Sequence, residues 1–483
     1  MIKVTLSKYV NEERLRWSLI LITVLSWFLF PLELNQLNPL IFNAGFAVSA
    51  FAVIIGVTIG LKRNQLALQP LHKLMLVCWI GYLLALLLAT IESASMHSLT
   101  QWFILFAKFL FFVFLLFYLN EKFIATTLRI YANLMVLTVF FAVVAVFVAA
   151  IHIQPLAIVN LHGVLTNFYF GSYYEPHYSS ICMPFPIYRI QGLNDEPGDF
   201  ALALLPAFFW LLVAEKAYVR SAVIALGLCL TMSLGAGLIL LMLSLILARK
   251  FSGNYRVIAS FLSVICVIGV MYVVSTSCQT SYFKNLLEVG AQNKEGRAAL
   301  AVLAECRKNR SESECIEFIK YNIASSTNGK VHSFTDRLDG LRVASSYLSD
   351  HLMGTGTALG MPAVNAIAVG TSTSANGFVV AILEAGVVGG LLYLCLFAIM
   401  GWLAINTIIT TDTISFDERV KVVIALSVCA VLVMGAQRIQ PDITLWHMWI
   451  YAMWFYLLQK TPSSKVESQF SRYANQVNAK AIL

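Results

Sequence analysis

Apolar runs long enough to cross a bilayer recur along most of this chain, and no other feature constrains it as much. A membrane-spanning helix needs about 20 predominantly apolar residues, and uncharged runs of 18 or more are its signature. The runs fall at roughly 17–34, 39–61, 71–91, 101–119 and 131–153, then at 199–215, 217–232, 234–248 and 255–275, and last at 376–408, 420–436 and 443–459. The first run is not followed by a small-residue cleavage site, so it is expected to stay in the protein. Only 12% of the 483 residues are charged, against about 25% in soluble domains. The expected fold class is therefore all-α, a polytopic membrane protein of about twelve transmembrane helices.

The charges between the runs orient it. Lys3, Lys8, Arg14 and Arg16 precede the first run, and the connections 62–73 (Lys62, Arg63, Lys73) and 120–130 (Lys122, Arg129) are basic. The alternate connections 35–38 and 92–100 carry no Lys or Arg. Basic loops stay cytoplasmic, so both termini are expected inside. Lys216, Arg220, Arg249, Lys250, Arg256, Arg419, Lys421, Lys460 and Lys465 fit the same alternation. The net charge of +8 thus reads as membrane orientation and not as nucleic-acid binding. The expected division is a bundle over 1–275 with an outer loop at 154–198, a large, helical outer loop at 276–375, final spans over 376–460, and an inner tail at 461–483. Cys78, Cys229, Cys266, Cys395 and Cys429 sit in apolar runs as small core residues, whereas Cys182, Cys278, Cys306 and Cys315 sit in loops. In an oxidising compartment Cys306 and Cys315 are either a disulfide or two free thiols.

Polar chemistry gathers in two stretches. The first, Tyr188 to Phe200, sets Arg189, Asp195, Glu196 and Asp199 directly before an apolar run. Charges at the mouth of a span are costly unless paired or solvated. Arg189 has the planar donor fork that grips phosphate or carboxylate. Burial at the membrane surface would raise Glu196 towards the range of a general base. Gly192, Pro197 and Gly198 suit a tight turn that admits a substrate to the backbone. The plainer alternative is that these carboxylates only solvate a helix start. The second stretch runs from Ser333 to Asn376. Arg337 and Arg342 would point about 140° apart on one helix, which lets them bracket a pyrophosphate or simply face solvent. Gly354-Thr355-Gly356 and Gly360 form a small-residue run that either dips into the membrane edge or links two elements. Asn376 opens a span with an intramembrane carboxylate, Glu384, then Gly386, Gly389 and Gly390, whose size favours close helix packing. His351, His332 and His177 are outer-loop histidines, and Arg438 lies at the outer end of a late span. No HExxH, Walker, GxSxG or metal-ligand pattern is present, so chemistry without a metal or cofactor is expected.

In their order and sidedness these motifs resemble the O-antigen polymerase and ligase superfamily of integral membrane glycosyltransferases. The first motif, R-x-x-G-x-x-x-E-P, is Arg189, Gly192, Glu196 and Pro197. The second is Asp336-Arg337, a helix, and Gly354-Thr355-Gly356. Gly386-Val387-Val388-Gly389 matches the family's Gly-x-x-Gly, and Thr231-Met232-Ser233-Leu234-Gly235 resembles its T-x-S-R-G with Leu234 in place of Arg. Where the family carries His-Asn, this chain has Ala375-Asn376, which favours the polymerase branch over the ligase branch and leaves Glu196 as the candidate base. The motif resemblance covers about residues 185–395.

The resemblance implies a GT-C-like fold and glycosyl transfer at the periplasmic face of a bacterial inner membrane. Donor and acceptor would be glycans on undecaprenyl diphosphate, with membrane lipids around them and a chain-length regulator and a flippase as possible partners. In that reading Arg189 and Arg337 hold the pyrophosphates and Glu196 serves the acceptor hydroxyl. Arg342 and Arg438 support them, and Gly192, Asp195, Asn376 and His351 line the substrate. The rivals are a ligase that moves finished glycan to a lipid A core, and a transporter or flippase.

Overall fold

A computed structural model of the chain describes residues 70–119, 121–151, 153–161, 164–169, 171–174, 190–192, 194, 197–231, 233, 237, 239–240, 348, 352–360, 377–411, 415–437 and 445–459. The described elements are helices α1 (Pro70–Glu92), α2 (Met96–Tyr118) and α3 (Glu121–Ala150), strands β1 (Ala157–Leu161), β2 (Val164–Tyr169) and β3 (Ser172–Tyr174), then α4 (Pro197–Phe209), which runs into a π-helical turn at Trp210–Ala214, α5 (Tyr218–Thr231), α6 (Gly377–Thr410), α7 (Phe416–Gln437) and α8 (Leu445–Gln459). Among the described residues, five segments are long and apolar enough to cross a membrane: α1, most of α2, α3, α4 with its π turn, and α6. This is the architecture of a multi-pass membrane protein. The expected spans at 17–34, 39–61 and 255–275, most of 234–248, nearly all of the 276–375 loop with Cys306 and Cys315, and the tail lie outside the described residues.

Local chemistry sets the helix ends. Pro70 and Pro197 occupy first-turn positions, where the missing N–H costs nothing. Glu121 and Asp199 sit at N-termini, where a negative charge opposes the helix dipole. Ser415 and Glu418 form a reciprocal capping box: Glu418 N donates to Ser415 Oγ at 3.2 Å and Ser415 N donates to Glu418 Oε2 at 3.3 Å.

The helices pack through small residues and aromatic rings. A Cβ added to Gly81 of α1 would lie 2.8 Å from Leu392 of α6, and one added to Gly389 of α6 would lie 2.9 Å from Ala85. Beside this seam, Trp79–Phe112 at 4.7 Å, Tyr82–Tyr393 at 4.5 Å and Phe397–Tyr451 at 5.7 Å bind α1, α2, α6 and α8 into one core. α4 is almost wholly buried and is surrounded by α3, α5 and α7. Conversely, Val77, Ile80, Leu84, Leu88 and Ile91 form an exposed apolar stripe on α1, and Phe140, Val143 and Phe147 form one on α3. Such a stripe is what a lipid-facing helix surface presents, since acyl chains replace water as its solvent.

Two features depart from expectation. First, α3 begins at Glu121, so residues 121–130 of the basic stretch expected as a connection are the first part of a helix, and Arg129 sits on it. Lys and Arg are good helix formers, and they mark the membrane interface without ending the helix. Second, the segment after α3, expected as a loop over 154–198, carries regular structure. Within 157–174 lies an antiparallel β1-β2-β3 sheet, with Ala157 opposite Phe168 and Asn167 opposite Tyr174. Its strands are rich in β-branched and aromatic residues, which favour a pleated, half-buried surface. The sheet folds back along α3, packing Tyr169 and Tyr174 on Ala145 and Val148.

The ends of the bundle are distinguishable. Arg129 of α3, Glu215 after the π turn, Arg220 of α5 and Arg419 of α7 meet around one pocket. α4 therefore ends there, α5 and α7 begin there, and α6 ends close by at Thr410. It follows that α4 and α6 both start at the opposite end, where the two polar stretches lie.

Candidate functional site

At that opposite end, Gly192 makes the turn that enters α4. Its φ is +60°, and an added Cβ would lie 2.6 Å from the Phe200 ring, so both the backbone and the space require glycine. The sheet holds this turn. Tyr173 N donates to Gly192 O at 2.6 Å and Ser172 Oγ donates to the same oxygen at 3.0 Å. On the other side Ile190 N donates to Leu230 O at 3.2 Å, beside the buried Thr231 that ends α5. The stretch containing Gly192 thus lies against the end of α5, which begins the T-x-S-x-G stretch. Gln191 and Asn194 are buried with the turn. The Gln191 Nε2 amide has no acceptor among the described residues. A buried donor left unpaired costs about 1–3 kcal/mol, and a bound polar ligand would relieve it.

α5 has 14 residues and so rises roughly 20 Å, whereas the hydrocarbon core is about 30 Å thick. Gly227 of α5 lies against Val139 of α3, so α3, which runs on to Ala150, continues roughly 10 Å past the level where α5 stops. The Gly192 turn is buried at the end of α5 and flanked by the sheet, and a Cβ added to Gly171 would lie 3.8 Å from Phe141 of α3.

The second polar stretch is built into a broken helix. Gly386 interrupts α6 with φ 72° and ψ −174°. A break within a span exposes backbone groups that hydrocarbon cannot satisfy. Here the segment 352–360 satisfies them: Val387 N donates to Leu352 O at 3.0 Å, Thr355 N to Leu383 O at 2.9 Å, and Gly356 N to Glu384 O at 3.0 Å. The contact is close enough that a Cβ on Gly354 would meet Gly386 N at 2.4 Å. The same segment is pinned to the turn between α1 and α2. Thr357 N donates to Thr90 Oγ1 at 3.1 Å, the two threonine hydroxyls lie 2.9 Å apart, and Ser98 Oγ donates to Thr357 O at 2.7 Å. Glu384 is buried and packs beside Gly360.

Of the expected site residues, Gly192 is in the turn described above. Arg189, Asp195, Glu196, Arg337, Arg342, His351, Asn376 and Arg438 lie outside the described residues. Sequence reading missed the hydroxyl staple of Thr90, Ser98 and Thr357 and the role of Ser172 and Tyr173. Single hydroxyls in spans carry no motif. The strand composition of 157–174 was the one signal available for the sheet. No protein-family model, curated protein or solved structure matches this chain.

Proposed function

We propose that this chain is a metal-independent membrane glycosyltransferase of the O-antigen polymerase kind, with a GT-C-like bundle of about twelve spans. It would join undecaprenyl-diphosphate-linked repeat units at the periplasmic face of a bacterial inner membrane. The observation that carries this reading is the backbone contact of Ile190 with Leu230. It brings together two stretches that the superfamily resemblance had picked out independently.

The chemistry follows from the residue types. The acceptor hydroxyl attacks the anomeric carbon of the donor glycan, a new glycosidic C–O bond forms, and the bond to the diphosphate oxygen breaks. Undecaprenyl diphosphate leaves with the electron pair, and the hydroxyl proton passes to Glu196. The leaving group needs charge stabilisation more than protonation, which guanidinium groups of Arg189 and Arg337 supply. Replacing Arg189 or Arg337 singly with Ala should leave surface glycan one repeat unit long on an electrophoretic ladder. Full-length glycan in both variants, at normal protein level, rules the assignment out. Finished lipid-linked polymer accumulating outside would instead indicate a ligase.

One observation favours a second reading. Transporters place discontinuous helices at their binding sites, and α6 is discontinuous beside Glu384. In this chain the break is filled by its own 352–360 segment, which makes transport the weaker reading. Lipid-linked repeat units trapped on the cytoplasmic side of a null strain would reverse that order.

A further inference from the structure

The sheet beside the Gly192 turn has two faces with different chemistry. Side chains alternate along a strand, and directly opposed residues share a face. Tyr169 and Tyr174 share one face, which packs on Ala145 and Val148 of α3. Phe168 lies opposite both Ala157 and Tyr173, and Thr166 lies two residues before it, so Thr166, Phe168 and Tyr173 share the other face. The Phe168 and Tyr173 rings stand 5.4 Å apart at 58°. Tyr173 is also the residue whose N–H holds Gly192 O. Gln191, the residue before Gly192, therefore adjoins the sheet at the edge of β3.

Two buried polar groups here have no partner. Thr166 is fully buried and its Oγ1 makes no hydrogen bond among the described residues, and the same holds for Nε2 of Gln191, which is 1% exposed. Buried polar atoms are nearly always paired, so two orphans in one region point to a ligand that pairs them. The threonine hydroxyl both donates and accepts, whereas the glutamine amide nitrogen only donates. Neighbouring hydroxyls of a sugar offer the matching acceptors and donor. The ring pair adds an electron-rich face for the C–H side of a pyranose. Phe168 is the part-exposed member of the group, which leaves a ring at the entrance and the two orphans deeper. The strands carry no Lys, Arg or His. That suits a neutral ligand and not a diphosphate, whose recognition calls for cationic donors.

We propose that this face of the sheet is a glycan subsite, with Phe168, backed by Tyr173, as the platform for a sugar ring and with Gln191 Nε2 and Thr166 Oγ1 hydrogen-bonding its hydroxyls. The inference rests on the proposed glycosyl transfer, since a polymerase must hold a repeat unit beside the turn that leads into α4. It makes the sheet the reader of the sugar. Specificity follows from the orphans. A sugar with hydroxyls in the right places pairs both, and one that lacks them leaves both buried and unpaired, which discriminates far more strongly than apolar packing does.

The test uses the full-length protein in detergent with two probes: the repeat-unit oligosaccharide released from the cell's own surface glycan, and undecaprenyl diphosphate without sugar. Gln191→Leu and Thr166→Val each remove one orphan at nearly constant volume, so both variants should melt no lower than the native protein. Oligosaccharide affinity, read by calorimetry, should fall about tenfold in each, while undecaprenyl diphosphate binds native and variant proteins alike. If either variant does not fold, the other, or Phe168→Leu, carries the same comparison. No oligosaccharide binding by the native protein, unchanged affinity in a folded variant, or a loss seen equally with undecaprenyl diphosphate overturns the proposal. A null strain that keeps its full glycan ladder removes the glycosyl-transfer reading and this site with it. A lost ladder together with unchanged oligosaccharide affinity in the variants removes the site alone.

Discussion

At Gly192 a single missing methyl group decides whether the chain can enter α4. The left-handed backbone and the Phe200 ring at 2.6 Å from a built Cβ act together, so neither relaxes without the other. Gly192→Ala should therefore destabilise by about 1–3 kcal/mol and lower the melting temperature of the detergent-solubilised protein. An unchanged melting curve would contradict the geometry described. Thr90 and Thr357 operate differently, because each hydroxyl satisfies a partner on a distant segment. Glycine is recognisable as a turn residue from composition alone, whereas a threonine in an apolar run looks like any other β-branched residue until its partner is known.

Among the elements, the broken α6 and the 352–360 segment behave as one unit. Each supplies hydrogen bonds the other lacks, and their backbones approach so closely that Gly354 and Gly386 occupy the same constraint. Gly354→Ala and Gly386→Ala should each cost about 2 kcal/mol or more. Their combination should cost less than the sum, with a coupling of about 0.5–3 kcal/mol in a double-mutant cycle. Additive losses would mean that the segment and the break are independent. The sequence suggested Gly386, Gly389 and Gly390 for close helix packing. Gly389 does face Ala85 of α1, but Gly386 breaks the helix instead. Both roles need a missing side chain, and only the partner backbone at 2.4–2.6 Å tells them apart.

For the molecule as a whole, the helix directions put the sheet and the arginine cluster at opposite ends. Single cysteines at Ile158, on β1, and at Val219, beside Arg220, are 64% and 81% exposed as the native residues. In a background without the nine native cysteines, a membrane-impermeant thiol reagent should label one in intact cells and the other only after permeabilisation. The basic flanks assign Ile158→Cys to the outside. Labelling of both from the same side would remove the topology on which the proposed function depends.

What the sequence determined by itself was periodic and local. Apolar length marked α1, α2, α4, α6, α7 and α8 to within a few residues, and glycine marked the turn at 192 and the segment at 354–360. These follow from the chain's own covalent geometry and from the solvent it must match. Tertiary structure alone decided the pairings. Ile190 and Leu230, Thr90 and Thr357, and Arg129 and Glu215 meet across 40, 267 and 86 positions of chain. A backbone amide or a guanidinium can satisfy any nearby acceptor equally well, so its choice is made by the packing of the helices that carry it.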